Sequence, residues 1–301
     1  MRILCAVDGS HASQIALDAM GTLYGPHADE VIILHVVDTS PFRGLRAVGP
    51  TGRTRVAKAR AALDRTASEL LRRATGAVTT ALHQSGSAPK ATISSALMHG
   101  RPAAAITAQA ERRAVDVIVL GSRRITDDRG FLLGSVARKV LAGNTRSVFV
   151  VKTPLSSRPQ VVLAIDGSPP AHSAVCFLRR WPLPENAHLT VLSVVPPVLD
   201  ELAATVLPLA KLAHLAKPAA ERTKRLVAQT RESFLGQGAA VSGEVLDGRP
   251  GPVIIKYLEK AKADLVVMGS RGLTGEERFV LGSVAEDVVH HAPCSALIVK
   301  R

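Results

Sequence analysis

Short apolar runs alternate with longer amphipathic stretches along this chain. Val, Ile and Leu dominate the short runs, and the longer stretches repeat apolar residues with the helical period. This alternation predicts a parallel sheet with helices on both faces, because a helix normally carries the chain from one parallel strand to the next. In the first half, the predicted strands are 2–7, 31–37, 92–98, 115–120 and 147–151, and the predicted helices are 10–23, within 55–73, 102–113 and 135–142.

The second half of the chain repeats the first. Ala6-Val-Asp-Gly-Ser10 recurs as Ala164-Ile-Asp-Gly-Ser168, and later blocks such as Gly100-Arg-Pro102 recur 148 rather than 158 residues further on. The first copy therefore holds ten extra residues between its second and third strands. Repeated blocks in the same order indicate a duplicated domain. With a linker of prolines and serines at 153–159, the sequence predicts domains at 1–155 and 156–301.

Composition points to a protein of the cytoplasm. Apolar residues make up 47% of the chain and aromatic residues only 3%, so Ala, Val, Leu and Ile must form the core. No apolar run approaches the roughly 18 residues of a membrane span, and the N-terminus runs straight into a strand-like segment that carries Asp8. The three cysteines are far apart and lack a disulfide pattern. His290-His291 and Cys294 lack metal-ligand spacing, so no metal site is predicted.

The positive charge is concentrated in the first half. The net charge is +13, of which residues 1–157 carry +10. A basic half could meet nucleic acid, an acidic partner or anionic ligands. However, its arginines are dispersed along helical stretches, and no aromatic residues for base stacking lie among them. These features favour solvated helix faces and disfavour nucleic acid as a partner.

Glycines and polar residues recur at the predicted strand ends. In the second copy, Gly269 follows the fourth strand, Gly282-Ser283 opens the last helix, and Asp166 follows the first strand. Glycine lets main-chain amides approach a ligand, and a helix N-terminus attracts anions. Tight turns alone would explain one such loop, but the aspartate and the repeat favour a polyphosphate site. Arg271 and Arg278 could neutralise its charge.

These residues resemble those of the universal stress proteins. The family's nucleotide motif is glycine, two residues, glycine, nine residues, glycine, then serine or threonine, and Gly269, Gly272, Gly282 and Ser283 complete it. Arg124 replaces the second glycine in the first copy. The resemblance extends through both halves except the segment 41–54. It implies two tandem flavodoxin/Rossmann-like α/β domains, each with a five-stranded parallel sheet. Such domains hold ATP in the ATP-binding members of the family, and for this chain we expect ATP together with Mg²⁺.

The resemblance also implies particular site residues. Ala164 and Asp166 would line the adenosine side, and Val194 would contact adenine through its backbone. The ribose and phosphates would be bordered by Gly269, Arg271, Gly272, Gly282, Ser283 and Val284. The equivalent positions of the first copy are Ala6, Asp8, Val36, Gly121, Gly134, Ser135 and Val136. Arg124 is expected to weaken binding there if that position needs a left-handed backbone or a close approach.

The leading functional hypothesis is a cytoplasmic ATP-binding regulator of the stress response that signals through nucleotide occupancy to an unidentified protein partner. The sequence has no Walker loop, dinucleotide fingerprint or nucleophile elbow, so no catalytic residue is predicted. At most, weak ATP hydrolysis is expected. Two alternatives remain: a dimerising scaffold with vestigial sites, and an adenine-nucleotide α-hydrolase-like enzyme. The resemblance also suggests a homodimer through the sheet-edge runs 147–151 and 296–299.

Overall fold

The computed structural model describes residues 1–40, 49–84, 91–122, 133–197, 209–272 and 281–300. The chain forms two compact units, one made of Met1–Arg123 and Gly134–Val151 and the other containing Lys152–Arg301. Strands and helices alternate in both units, as the hydrophobic pattern predicts.

The first unit is a five-stranded parallel sheet with the strand order β3-β2-β1-β4-β5. Its elements are β1 (Arg2–Ala6), α1 (His11–Tyr24), β2 (Glu30–Asp38), α2 (Gly49–Gln84), β3 (Thr92–Gly100), α3 (Pro102–Arg112), β4 (Val117–Gly121), α4 (Ser135–Gly143) and β5 (Ser147–Val151). Central strands such as β1 are buried between helix layers, and burial raises the pKa of the Cys5 thiol to about 12. Cys5 therefore acts as an apolar core residue.

The second unit repeats this sheet with the order β8-β7-β6-β9-β10. Its elements are β6 (Gln160–Ala164), α5 (Pro169–Arg180), β7 (His188–Val195), α6 (Leu209–Glu232), β8 (Ala240–Asp247), α7 (Pro250–Lys260), β9 (Leu265–Gly269), α8 (Ser283–His291) and β10 (Ser295–Val299). The strand order reverses between β6 and β9. In open parallel sheets, ligands bind in the crevice at such a reversal.

Helix α2 is the largest departure from the predicted elements. It has 36 residues, whereas its counterpart α6 has 24, and both end seven residues before the next strand. The two described helices therefore differ by twelve residues at their N-terminal ends, and residues 198–208 before α6 lie outside the described residues. The predicted helix lies within 55–73, so the pattern missed residues 49–54 at this end and 74–84 at the other, although Ala74, Val78 and Leu82 continue the buried stripe.

Asp264 attaches the linker to the second unit. Its carboxylate accepts hydrogen bonds from the Ser156 amide at 2.9 Å, the Ser156 hydroxyl at 2.8 Å and the Gln160 amide at 2.7 Å. These bonds fix the entry of the chain into β6. Among the described residues, no helix combines the length and the apolar composition needed to cross a membrane.

Candidate functional site

Each copy builds the same turn after its first strand. In the second copy, Gly167 has a φ of +81°, and the Asp166 carboxylate accepts a hydrogen bond from the Ser168 amide at 2.9 Å. The Ser168 hydroxyl then accepts a bond from the Ala171 amide at 3.3 Å, which caps α5 as the sequence predicts. The first copy repeats this arrangement, with Ser10 as the cap of α1.

The first glycine of the motif is required by packing between strand and helix. A β-carbon on Gly269 would lie 2.4 Å from the carbonyl carbon of Pro170, at the start of α5. The equivalent atom on Gly121 would lie 2.4 Å from the carbonyl oxygen of Ala12. Backbone atoms inside a helix cannot move aside, so any larger residue would push the strand end away from the helix.

The second glycine approaches Asp166 closely. A β-carbon on Gly272 would lie 2.7 Å from the Asp166 carboxylate, whereas 3.4 Å or more is an ordinary contact. Gly272 does not have a positive φ, so the left-handed conformation considered from the sequence is not the reason for glycine here. The Gly282 amide donates to the Ser270 carbonyl at 2.7 Å, which folds the loop back on the end of β9.

Helix α8 begins with uncapped amides. Its N-cap residue is Gly282, which has no side chain that could accept their hydrogen bonds. By contrast, Ser168 satisfies one amide of the neighbouring helix α5. Since no described side chain caps them, the amides of the first turn and the helix dipole together make the start of α8 the favoured position for an anion in this site.

A cavity of about 510 Å³ lies in the second unit, beside the point where the strand order reverses. Its size is that of a small-molecule site. The structure brings together here all nine residues predicted for the second copy, namely Ala164, Asp166, Val194, Gly269, Arg271, Gly272, Gly282, Ser283 and Val284.

Sequence reasoning missed much of the apolar wall of this cavity. The additional lining residues are Ile165, Ala171, Leu192, Pro250, Ile254, Met268, Leu281, Ala285 and Glu286. Most of them look like ordinary core residues in the sequence, so their pattern carries no separate signal. Pro250 is the exception, because it belongs to the repeated Gly-Arg-Pro block, which could have indicated that the start of α7 faces the site.

The predicted residues of the first copy occupy the equivalent ends of its elements. Ala6 and Asp8 lie at the end of β1 and just beyond it, and Val36 lies in β2. Gly121 ends β4, and the residues Gly134, Ser135 and Val136 form the start of α4. Arg124 and Arg278 lie outside the described residues. Weakened binding in the first copy therefore stays a prediction.

Two cations lie near the glycine loop of the second copy. Arg271 lines the cavity, and Lys300 directly follows Val299, whose carbonyl accepts a bond from the Ser270 amide at 3.0 Å. Burial and then the charge of Arg271 lower the pKa of Lys300 to about 8. An anion bound at this loop would relieve the repulsion between the two cations.

A family model described as the universal stress protein family matches residues 1–152 and 158–300. The chain belongs to the universal stress protein family. Because the model matches twice, the two copies are tandem domains of this family, as the repeated blocks predict. The α/β fold with a parallel sheet in each copy is also confirmed.

Individual relatives agree with this membership. The chain is 50% identical to a universal stress protein of Methanocaldococcus jannaschii over 64 residues, which are 21% of this chain and 38% of the relative. It is 30% identical over 146 residues to one of Thermus aquaticus, covering 46% of this chain and 97% of the relative. A solved universal stress protein from Archaeoglobus fulgidus is 22% identical and has a TM-score of 0.69. The match covers 100% of this chain and 98% of the solved chain, which shows that the two proteins share a fold.

Proposed function

We propose that the second copy binds ATP in this cavity and that nucleotide occupancy regulates the stress response. The observation that carries the proposal is the cavity itself, which joins an apolar wall to the uncapped start of α8. An adenine base needs an apolar slot, and a polyphosphate needs main-chain amides, so one ligand with both parts fits. Family membership supports the same assignment.

The lining residues suggest a role for each part of the ligand. Leu192, Ile254 and Met268 provide apolar contacts for the base. Asp166, whose second carboxylate oxygen faces Gly272, is placed to accept a hydrogen bond from a ribose hydroxyl. The amides of Ser283 and Val284 would hold the phosphates, with Arg271 neutralising charge and Mg²⁺ bridging phosphate oxygens.

Regulation fits this site better than efficient catalysis. Asp166 already accepts the Ser168 amide, which holds its carboxylate in a turn. Glu286 is an exposed residue of the first turn of α8, at the edge of the cavity. We therefore include at most slow ATP hydrolysis, and we infer that binding itself is the signal.

The test begins with the ligand. Mass spectrometry of the supernatant from purified, denatured protein should detect an adenine nucleotide, and titration calorimetry with Mg-ATP should give one site in the second copy. Val194→Trp would fill the base slot and should abolish binding, whereas the matched Val36→Trp in the first copy should leave it intact. Absence of binding by the wild-type protein at millimolar ATP would overturn the proposal.

The wider proposal includes a cytoplasmic location, a homodimer and an unidentified regulatory protein partner. Signalling through occupancy requires that ATP change one of these interactions. Light scattering and affinity capture, each performed with and without Mg-ATP, would detect such a change. Equal mass and equal partner recovery in both conditions would leave ATP binding in place but refute signalling through assembly.

A further inference from the structure

The N-terminal end of α2 projects from the first unit. All seven residues from 57 to 63 are exposed, a stretch of two helical turns that covers every face of the helix. Leu63, with 40% of its surface exposed, is the large apolar residue of this stretch. A helix that packs on a sheet buries one face, as α2 does from Ala67 onward. The projecting turns are therefore not explained by the core.

The first copy carries ten extra residues between its second and third strands, the region that contains this helix. When α2 and α6 are aligned at their C-terminal ends, α6 begins at the position equivalent to Ala61. Residues 198–208, which precede α6, lie outside the described residues, so the two helices are compared only from this position onward. The proposed ATP site lies in the second copy and does not use residues 49–60.

The projecting end is strongly basic. Residues 49–66 contain five cations, Arg53, Arg55, Lys58, Arg60 and Arg65, and one acidic residue, Asp64. The Asp64 carboxylate lies 2.7 Å from the His99 imidazole, which turns part of its charge toward the body of the unit. The side chains of Lys58, Arg60 and Arg65 are exposed. Cations concentrated on a protruding element attract polyanions.

We propose that this end of α2 binds the phosphate backbone of duplex DNA without regard to sequence. Protein partners are usually held by buried aromatic or large apolar anchors, and here the exposed surface offers Ala, Lys, Arg and a single Leu. Nucleic-acid interfaces are instead polar and positively charged. The projecting end has the second composition, which revises the expectation from the sequence that nucleic acid is disfavoured.

The shape of the projection fits duplex DNA in particular. A helix about 10–12 Å across fits the major groove of B-form DNA, about 12 Å wide, when nothing beside the helix blocks its entry. Among the described parts of the chain, residues 57–63 are exposed on every face of the helix, as entry into a groove requires. The major groove of duplex RNA is too narrow and deep for a helix. Small alanines between the cations permit close approach to the groove walls.

The test is fluorescence anisotropy with a labelled 20-base-pair DNA duplex of arbitrary sequence, titrated with the full-length protein at several salt concentrations. Affinity should fall steeply with salt, because each phosphate contact contributes about 0.9 to the log–log slope. The triple variant Lys58→Gln/Arg60→Gln/Arg65→Gln should weaken binding by roughly tenfold or more and reduce the slope by about 2–3. Glutamine preserves helix propensity, and circular dichroism would verify the fold.

The matched control removes three exposed cations from the second copy instead, through Arg222→Gln/Lys224→Gln/Arg225→Gln on α6. Unchanged DNA binding by this control would support the proposal. An equal loss in both triple variants would show a net-charge effect and overturn it. Tighter binding of labelled polyglutamate than of the duplex would also overturn it, in favour of an acidic protein partner. None of these outcomes depends on ATP.

Discussion

Replacing Gly272 by alanine tests the geometry of the proposed ATP site most directly. The new β-carbon would lie 2.7 Å from the Asp166 carboxylate, so the two groups must separate by roughly 0.7 Å to reach an ordinary contact of 3.4 Å. Asp166 cannot retreat freely, because the Ser168 amide holds its other oxygen at 2.9 Å. The loop or the Asp166 turn must therefore shift, and both line the cavity.

The expected loss follows from these contacts. Overpacking of this kind costs about 1–3 kcal/mol. If the cost falls on the bound state, the Kd for Mg-ATP should rise by roughly 5- to 150-fold. Titration calorimetry would measure the Kd, and thermal unfolding would separate a binding loss from a loss of stability.

The control and a second variant sharpen this test. Gly76→Ala lies in α2, where no described atom would be within 4 Å of the new β-carbon, so ATP binding should not change. Gly272→Arg reproduces the first copy, in which Arg124 stands at the equivalent position. Unchanged affinity and stability in Gly272→Ala would refute the argument from close approach. Full affinity in Gly272→Arg would show that Arg124 does not disable the first copy.

Three further predictions concern the second copy. Burial and then Arg271 hold the pKa of Lys300 at about 8, so phosphate bound beside Arg271 should raise that pKa. Binding would then take up a proton and weaken from pH 7 to 9, and Lys300→Met should flatten the profile in calorimetry. Gly269→Ala should destabilise the unit by about 3 kcal/mol, lowering its Tm by roughly 6–12 °C, because its β-carbon meets the Pro170 backbone; an unchanged Tm would contradict this. Asp264→Ala should release the linker and speed cleavage by proteinase K within residues 153–158, whereas equal cleavage rates would show that its three hydrogen bonds do not hold the linker.

The repeat and the sheet were predictable because they depend on local signals. Strand runs of Val, Ile and Leu and helical periodicity are read residue by residue, and the predicted β5 matches the observed Ser147–Val151. The repeated blocks placed Asp166 and the glycines at strand ends, and parallel strands bring those ends to one edge. Asp166 and the glycines therefore meet in one cavity, together with the other residues that the family resemblance implied.

Only the tertiary structure shows why glycine is required at positions 269 and 272. Gly269 is small because the backbone of α5 lies against it, and Gly272 because Asp166 does. These are contacts between residues about a hundred positions apart, which no local pattern contains. The same holds for the apolar wall, where Leu192 and Ile254 are indistinguishable from core residues until helices and strands are assembled.

The end of α2 shows the same division. The sequence determined its charge and its ten extra residues, because both can be counted along the chain. Whether those cations lie flat on the body or stand clear of it depends on where the buried stripe begins, and that stripe starts at Ala67. Burial is a property of the assembled helix and sheet, so the structure alone made residues 57–63 a projecting surface.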